Sequence, residues 1–199
     1  MSRVGRTIIK VPAGVNVEIS PTLVKVSGSN GTLQQEIKGG IIVEFANGQI
    51  ELRRQDDEAV TKSLHGLYNR LIQNMVKGVT EGFTKFLFCN GVGYKAALKP
   101  DGGLTLNLGL SHPVDVPAVK GVKMSILTPQ EVQSYGFGKE KVTVILKVQG
   151  IGKEDVGAVS AKIRGFRPVE PYHLYGIRYS DEHVMKKESK SGGKGAKKK

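Results

Sequence analysis

Sulfur chemistry is nearly absent from the chain: its one cysteine, Cys89, has no second thiol to form a disulfide with. It lies in the apolar run FLFCNG, where a buried, inert thiol is the expected role. No run of about 18 apolar residues occurs, so no segment reads as a membrane-spanning helix. The opening stretch, MSRVGRTIIKVPAG, holds only a short apolar run with a charge inside it, which is not the pattern of a cleaved signal peptide. A cytosolic location is the expectation.

The groupings that catalysis needs are also missing. His65, His112, His173 and His183 are scattered, and no pair has the spacing that puts two imidazoles on one metal ion. Ser111 and His112 are adjacent in LGLSHPVDV, but neighbours on a strand face opposite ways, and nothing aims Asp115 at the ring. GVGY at 91–94 begins like a dinucleotide fingerprint, yet the third glycine is absent and YKAAL continues as strand. No GxxxxGK[ST] loop occurs. The chain is not expected to be an enzyme, and no metal, cofactor or small-molecule substrate is expected.

Positive charge is what the chain has in excess, with 30 Lys and Arg against 18 Asp and Glu, a formal net charge of +12. Its distribution is uneven. Residues 1–82 carry 10 basic and 8 acidic side chains, residues 83–182 carry 13 and 9, and residues 183–199 carry 7 and 1. The net charge therefore climbs from +2 to +4 to +6 along the chain, and a surface that meets a polyanion should lie toward the C-terminus. No basic amphipathic helix with an aromatic face is present to favour a membrane, so nucleic acid is the expected partner.

Two similar halves are visible. In the first, VNVEIS, TLVKVSG, TLQQEI and IIVEFANGQIELRR alternate with period two, and the NG of FANGQIEL signals a two-residue hairpin. DDEAVTKSLHGLYNRLIQNMVKG then reads as a helix, opened by acids and closed at Lys77 and Gly78, with Val60, Leu64, Leu67, Leu71 and Met75 as its apolar face. In the second half FTKFLFCNGV, YKAALKP, GLTLNLG, HPVDVPA, VKMSILT and KVTVILKVQG read as strands. GKEDVGAVSAKIRGF reads as a helix with Val156, Val159, Ile163 and Phe166 inward. The fold class is α+β: two tandem similar domains, each an antiparallel or mixed sheet with one packed helix. The expected limits are 1–82 and 83–184, followed by a flexible basic tail at 185–199.

The stretch after the second helix, GFRPVEPYHLYGIRYSDEHV, concentrates the groups that folded RNA requires. Arg164, Arg167 and Arg178 offer forked donors to phosphate oxygens, and Gly165 and Gly176 permit close approach. Tyr172, His173, Tyr175 and Tyr179 offer rings that can stack on bases or reach a ribose. Pro168 and Pro171 rule out helix and make the stretch irregular and extended, which lowers the entropy cost of docking. A second reading, in which Tyr172 and Tyr179 pack back on their own sheet, stays open. Lys85 and Lys95 are further candidate phosphate contacts, the alternative being a solvated strand face. Lys186 and Lys187 begin the basic tail that can order against phosphates.

Taken in order, MSRVGR, NMVKGVTEGFTK, NGVGYKAAL, LNLGLSHPV, GIGKEDVGAVSAKIRGFRPVEPY and GIRY resemble bacterial large-subunit ribosomal protein six over nearly the whole chain. The resemblance implies two duplicated α+β domains in a structural component of the large ribosomal subunit. It implies binding of large-subunit ribosomal RNA, mainly through the second domain and C-terminal extension, near the factor-binding region and the stalk base, beside neighbouring ribosomal proteins and without catalysis. Carried over by motif, the contact residues are His112, Lys153, Lys162, Arg164, Arg167, Tyr172 and Arg178. Two departures stand out. Tyr175 occupies a position where the family usually carries lysine, and PQEVQSYGFGKEKVTVILKV is longer than usual, so an extended hairpin is expected over 129–148.

Overall fold

The computed structural model describes residues 4–139 and 142–188. It divides into two compact units, Met1–Phe83 with Gly150–Lys153, and Thr84–Gln149 with Glu154–Lys199. The α+β class with tandem similar units is what the structure shows, and within each unit the strands are divided over two sheets.

In the first unit the strands are β1 (Ile9–Lys10), β2 (Asn16–Ile19), β3 (Leu23–Gly28), β4 (Gly31–Glu36), β5 (Ile41–Ala46) and β6 (Gln49–Arg54). They form two antiparallel sheets ordered β1-β6-β5 and β2-β3-β4. Alternation places Val24 and Val26 of β3 in the core while Lys25, between them, turns out to meet Glu18. The NG hairpin forms as expected: Asn47 and Gly48 both take positive φ, 52° and 72°, and close the register Ala46↔Gln49.

Helix α1 (Ala59–Thr80) covers both sheets, and its inward face is only partly the one that the apolar letters suggest: Met75 is buried and Leu64 and Leu71 pack against the core as expected. Val60 and Leu67 are 65% and 50% exposed, and the buried line is His65, Tyr68, Ile72, Met75, Val76 and Val79. Polar side chains sit on this face with backbone groups meeting part of their hydrogen-bonding capacity, while His65 Nδ1 and Asn69 Oδ1 are buried without a partner. His65 Nε2 lies 2.9 Å from the Leu52 carbonyl, and the Tyr68 hydroxyl accepts the Lys38 amide at 3.1 Å. Asn69 Nδ2 donates to the Gly5 and Thr7 carbonyls at 3.2 and 2.8 Å. The acids at 56–58 precede the helix instead of occupying its first turn. The helix also runs beyond Gly78 to Thr80; the Gly82 amide still reaches the Lys77 and Gly78 carbonyls, and the left-handed backbone of Gly82 (φ 73°) then turns the chain out of the helix.

The second unit contains β7 (Phe83–Asn90), β8 (Lys95–Leu98), β9 (Leu104–Asn107), β10 (Val114–Val116), β11 (Val122–Ile126), β12 (Val144–Gly150) and β13 (Gly176–Tyr179). Their sheets are ordered β10-β9-β8 and β11-β12-β7-β13. Helix α2 (Pro129–Ser134) and a 3-10 turn at Phe137–Lys139 occupy the place of the expected hairpin. The reason is local: Thr128 and Glu131 form a reciprocal capping box, and Pro129 suits the first helical turn. Phe137 then packs edge-on against Phe86 and Phe88.

Helix α3 (Lys153–Phe166) buries Val156, Val159 and Ile163 as the periodicity requires, with Phe166 half-buried. The stretch expected to be irregular contains β13, which pairs antiparallel with β7 through Ile177↔Cys89 and Arg178↔Phe88. Ile177 is fully buried there. The thiol of Cys89 is buried as expected, and desolvation pushes its pKa up to about 12.

Candidate nucleic-acid interface

The segment between α3 and β13 is held by its own backbone. The Ile177 amide donates to the Arg167 carbonyl at 2.8 Å and the Glu170 amide to the Tyr175 carbonyl at 2.8 Å. Pro168 makes a parallel bridge with Ile177. The closeness of these two runs explains Gly176: at φ 134°, a Cβ there would meet the Pro168 carbonyl oxygen at 2.6 Å and Val169 Cα at 2.7 Å. Asn90 Nδ2, from the end of β7, donates to the Leu174 carbonyl at 3.2 Å.

Glu170 organises the turn that follows. Its two carboxylate oxygens accept the Tyr172 and His173 amides at 3.1 and 2.9 Å, and these bonds, the His173 one foremost, hold its pKa below the ordinary carboxylate value. Leu174 takes a left-handed backbone (φ 61°), and the His173 and Tyr175 rings stack at 5.7 Å with an interplanar angle of 15°. Tyr172 and Tyr175 remain 44% and 41% exposed, so their rings are open to a partner. Tyr179 is half-buried on β13.

Around Tyr179 and Glu182 the structure gathers three of the candidate cations. Lys85 Nζ lies 5.4 Å from the ring centroid and 3.7 Å from Asp181 Oδ2. The Arg164 guanidinium lies 5.7 Å from the same ring and makes a forked pair with Glu182, Nε to Oε2 at 2.8 Å and Nη2 to Oε1 at 2.5 Å. Arg178 rests over Phe88 at 5.0 Å and donates to the Glu182 carbonyl at 3.3 Å. The Arg164 bond is the main cause of the lowered Glu182 pKa, assisted by the Tyr179 amide, which donates to Glu182 Oε2 at 3.2 Å. The importance of Glu182 is hidden in sequence, where it stands 18 residues from Arg164.

The remaining candidates are placed apart from this cluster. Lys95 is exposed on β8, opposite Asn107. Ser111 and His112 lie in a bend, not a strand, and Ser111 Oγ approaches His112 Nδ1 at 3.4 Å, so the expectation that they face apart is corrected. No triad results, because Asp115 is engaged by Thr105 at 2.8 Å and Lys99 at 2.9 Å. Lys153 has Nζ 3.4 Å from Asn74 Oδ1 and 6.0 Å from the Phe83 ring. Lys162 and Arg167 are exposed on and just after α3, and Lys186 and Lys187 are exposed as well. The Lys187 amide donates to the Pro171 carbonyl at 2.9 Å, which lays the start of the C-terminal extension against the closing segment. The tail beyond Glu188 lies outside the described residues. Among the described residues, no three His, Cys, Asp or Glu side chains converge as a metal-ligand set, and no helix is long and apolar enough to cross a membrane.

The exposed side of α3 carries Gly157, Ala158, Ala161 and Gly165. A Cβ at Gly157 or Gly165 would meet nothing within 4 Å, and neither has a positive φ. Each glycine costs a helix interior about 1 kcal/mol relative to alanine, and the protein's own packing requires neither.

A family model described as Ribosomal protein L6 matches residues 11–82 and 90–180. Relatives with the name Large ribosomal subunit protein uL6 align along nearly the whole chain. One from Geobacter metallireducens is 42% identical over 194 residues, covering 98% of this chain and 100% of its own. One from Spiroplasma citri is 42% identical over 194 residues, with the same coverage. One from Fusobacterium nucleatum is 42% identical over 190 residues, covering 96% of this chain and 99% of its own.

Proposed function

The chain belongs to the ribosomal protein L6 family, and on that footing we propose that it is a structural, non-catalytic component of the large ribosomal subunit that binds large-subunit ribosomal RNA through its second unit and C-terminal extension. Its place is near the factor-binding region and the stalk base, in the cytoplasm and beside neighbouring ribosomal proteins. The observation that carries the RNA-binding reading is the closing segment, an internally braced strip of backbone with two open tyrosine rings. It is followed by residues 183–199, which hold 7 basic side chains and 1 acidic. Preorganisation lowers the ordering cost of docking, and the lysines supply the phosphate neutralisation that dominates RNA affinity.

Lys162 and Arg167 extend the cationic surface along α3, and Arg178, Lys186 and Lys187 extend it along the closing segment. Lys85, Lys95 and His112 are outlying contacts in the same unit, and Tyr172 is a ring for a base or ribose edge. The small face of α3 supports the same reading, since helix glycines that serve no internal packing let a phosphate backbone approach closely. Tyr175, in place of the usual lysine, contributes stacking with His173 instead of a charge.

Sedimenting a cell lysate through a gradient at moderate salt tests the assembly role, and the chain should travel with the large subunit. A soluble pool away from the subunit would favour a free-standing regulator instead. Binding to protein-free large-subunit RNA should weaken by about 10³ to 10⁵ fold between 50 and 200 mM salt if six to ten phosphates are contacted. Affinity that ignores salt would sink the electrostatic reading.

A further inference from the structure

A carboxylate at an RNA-facing surface opposes binding, so the position of Glu182 requires an account. Arg164 comes from the last turn of α3 and Glu182 from the turn after β13, and they meet through two parallel hydrogen bonds of 2.8 and 2.5 Å. The same carboxylate accepts the Tyr179 amide, and the Glu182 carbonyl accepts a guanidinium hydrogen of Arg178. One residue thereby fixes α3, the end of β13 and a second arginine at once. From this turn the chain continues to Lys187, whose amide is bound by the Pro171 carbonyl.

We propose that Glu182 and Arg164 are a positioning pair: the forked contact fixes the turn from which the basic extension leaves and orients Arg178 toward phosphate, and Arg164 is not itself a phosphate ligand. The proposal rests on the RNA-binding reading above. Its physical basis is that the Arg–carboxylate fork is directional in a way that a point charge is not, so charge and geometry can be separated by substitution. Charge alone gives the opposite expectation. Glu182→Gln removes a negative charge and releases an arginine, which by electrostatics should tighten RNA binding.

The test uses the full chain and protein-free large-subunit ribosomal RNA as the probe, with filter retention measured from 50 to 200 mM KCl. Glu182→Gln should bind about threefold to tenfold more weakly than the parent despite its added net positive charge, because Arg178 and the start of the extension, no longer held in place, miss one or two phosphates. Arg164→Lys, which keeps the charge and loses the fork, should lose a similar factor. The double variant should lose no more than either single one. The slope of log affinity against log salt should fall by about one to two in each variant, as one or two phosphate contacts are lost. A purely structural role would lower the thermal midpoint and leave that slope unchanged, which would overturn the proposal. Equal or tighter binding by Glu182→Gln, or parental binding by Arg164→Lys, would overturn it too. Failure of the parent chain to bind in a salt-dependent manner would instead sink the RNA-binding reading.

Discussion

Gly176→Ala is the sharpest probe of the closing segment. A Cβ at this position lies 2.6 Å from the Pro168 carbonyl oxygen, 2.7 Å from Val169 Cα and 2.8 Å from the Pro168 carbonyl carbon. All three are backbone atoms, so no side-chain rotation relieves the contact. Ordinary van der Waals separation begins near 3.4 Å, and the two chain runs must part by about 0.8 Å. That movement breaks the 2.8 Å bonds from Ile177 to Arg167 and from Glu170 to Tyr175, each worth about 1 kcal/mol. The backbone at φ 134° adds about 1 to 3 kcal/mol of strain for a non-glycine residue. The expected destabilisation is therefore about 3 to 5 kcal/mol, confined to the second unit. Gly121→Ala is the control, since φ is positive there too (82°) but no atom lies within 4 Å of the added carbon, and its cost should be only about 1 to 2 kcal/mol. Urea unfolding monitored by tyrosine fluorescence gives the stabilities, and hydrogen exchange at the Ile177 amide shows where the opening occurs. If Gly176→Ala costs no more than Gly121→Ala, the close approach does not brace this segment and the preorganisation argument fails.

Gly157→Ala should raise the stability of the free protein by about 0.5 to 1 kcal/mol while weakening its binding to large-subunit RNA, measured by thermal melting and filter retention. Unchanged RNA binding would remove the small face of α3 from the interface. Cys89, with its thiol pushed up to about 12 by burial, should resist a disulfide-exchange reagent at pH 8 in the folded protein and react fully in denaturant. Rapid stoichiometric labelling of the native chain would contradict its burial. The carboxyls of Glu182, paired chiefly with Arg164, and Glu170, bonded chiefly to the His173 amide, are held below their usual 4.5. A depressed folded-state value contributes stability that is fully present above 4.5 and is lost as pH falls through the lower folded value. Acid titration monitored by circular dichroism should show the second unit weakening below about pH 4.5, with a shallower decline in Glu182→Gln.

The strands of the first unit are legible because β-branched residues alternate between explicit turn signals, and Asn47-Gly48 states its own backbone geometry. The inward face of α1 is less legible. It includes His65, Tyr68 and Asn69, whose burial depends on carbonyls and an amide as far as 64 residues away, and a count of apolar letters is blind to such partners. β13 is only four residues long and finds its partner in β7, about 90 residues earlier in the chain, so local alternation carries almost no signal for it. The helix α2 is different: the Thr128-Pro129-Gln130-Glu131 capping box is readable, and the length of the segment distracts from it. At the candidate interface the residue types were visible, but the Arg164–Glu182 pair appears only once α3 and β13 are brought together.

The pairing of acids changes how the charge distribution should be weighed. Residues 83–182 carry 9 acids against 13 cations, a modest excess for the RNA-binding surface proposed above. Glu131 and Glu170, however, direct their carboxylates to backbone amides of their own turns, so they are compensated without consuming a lysine or arginine. Asp181 and Glu182 do consume cations, yet they do so with Lys85 and Arg164 around a single ring, which gathers the neutralised charge in one place. Lys162 and Arg167, exposed on and just after α3, thus belong to a unit with fewer uncompensated acids than the formal tally implies. Because the field at contact distance depends on near neighbours more than on net charge, screening over about 8 to 10 Å at ordinary ionic strength favours such a local arrangement. A salt-dependent RNA interface can therefore be built on a unit whose overall charge is only moderately positive.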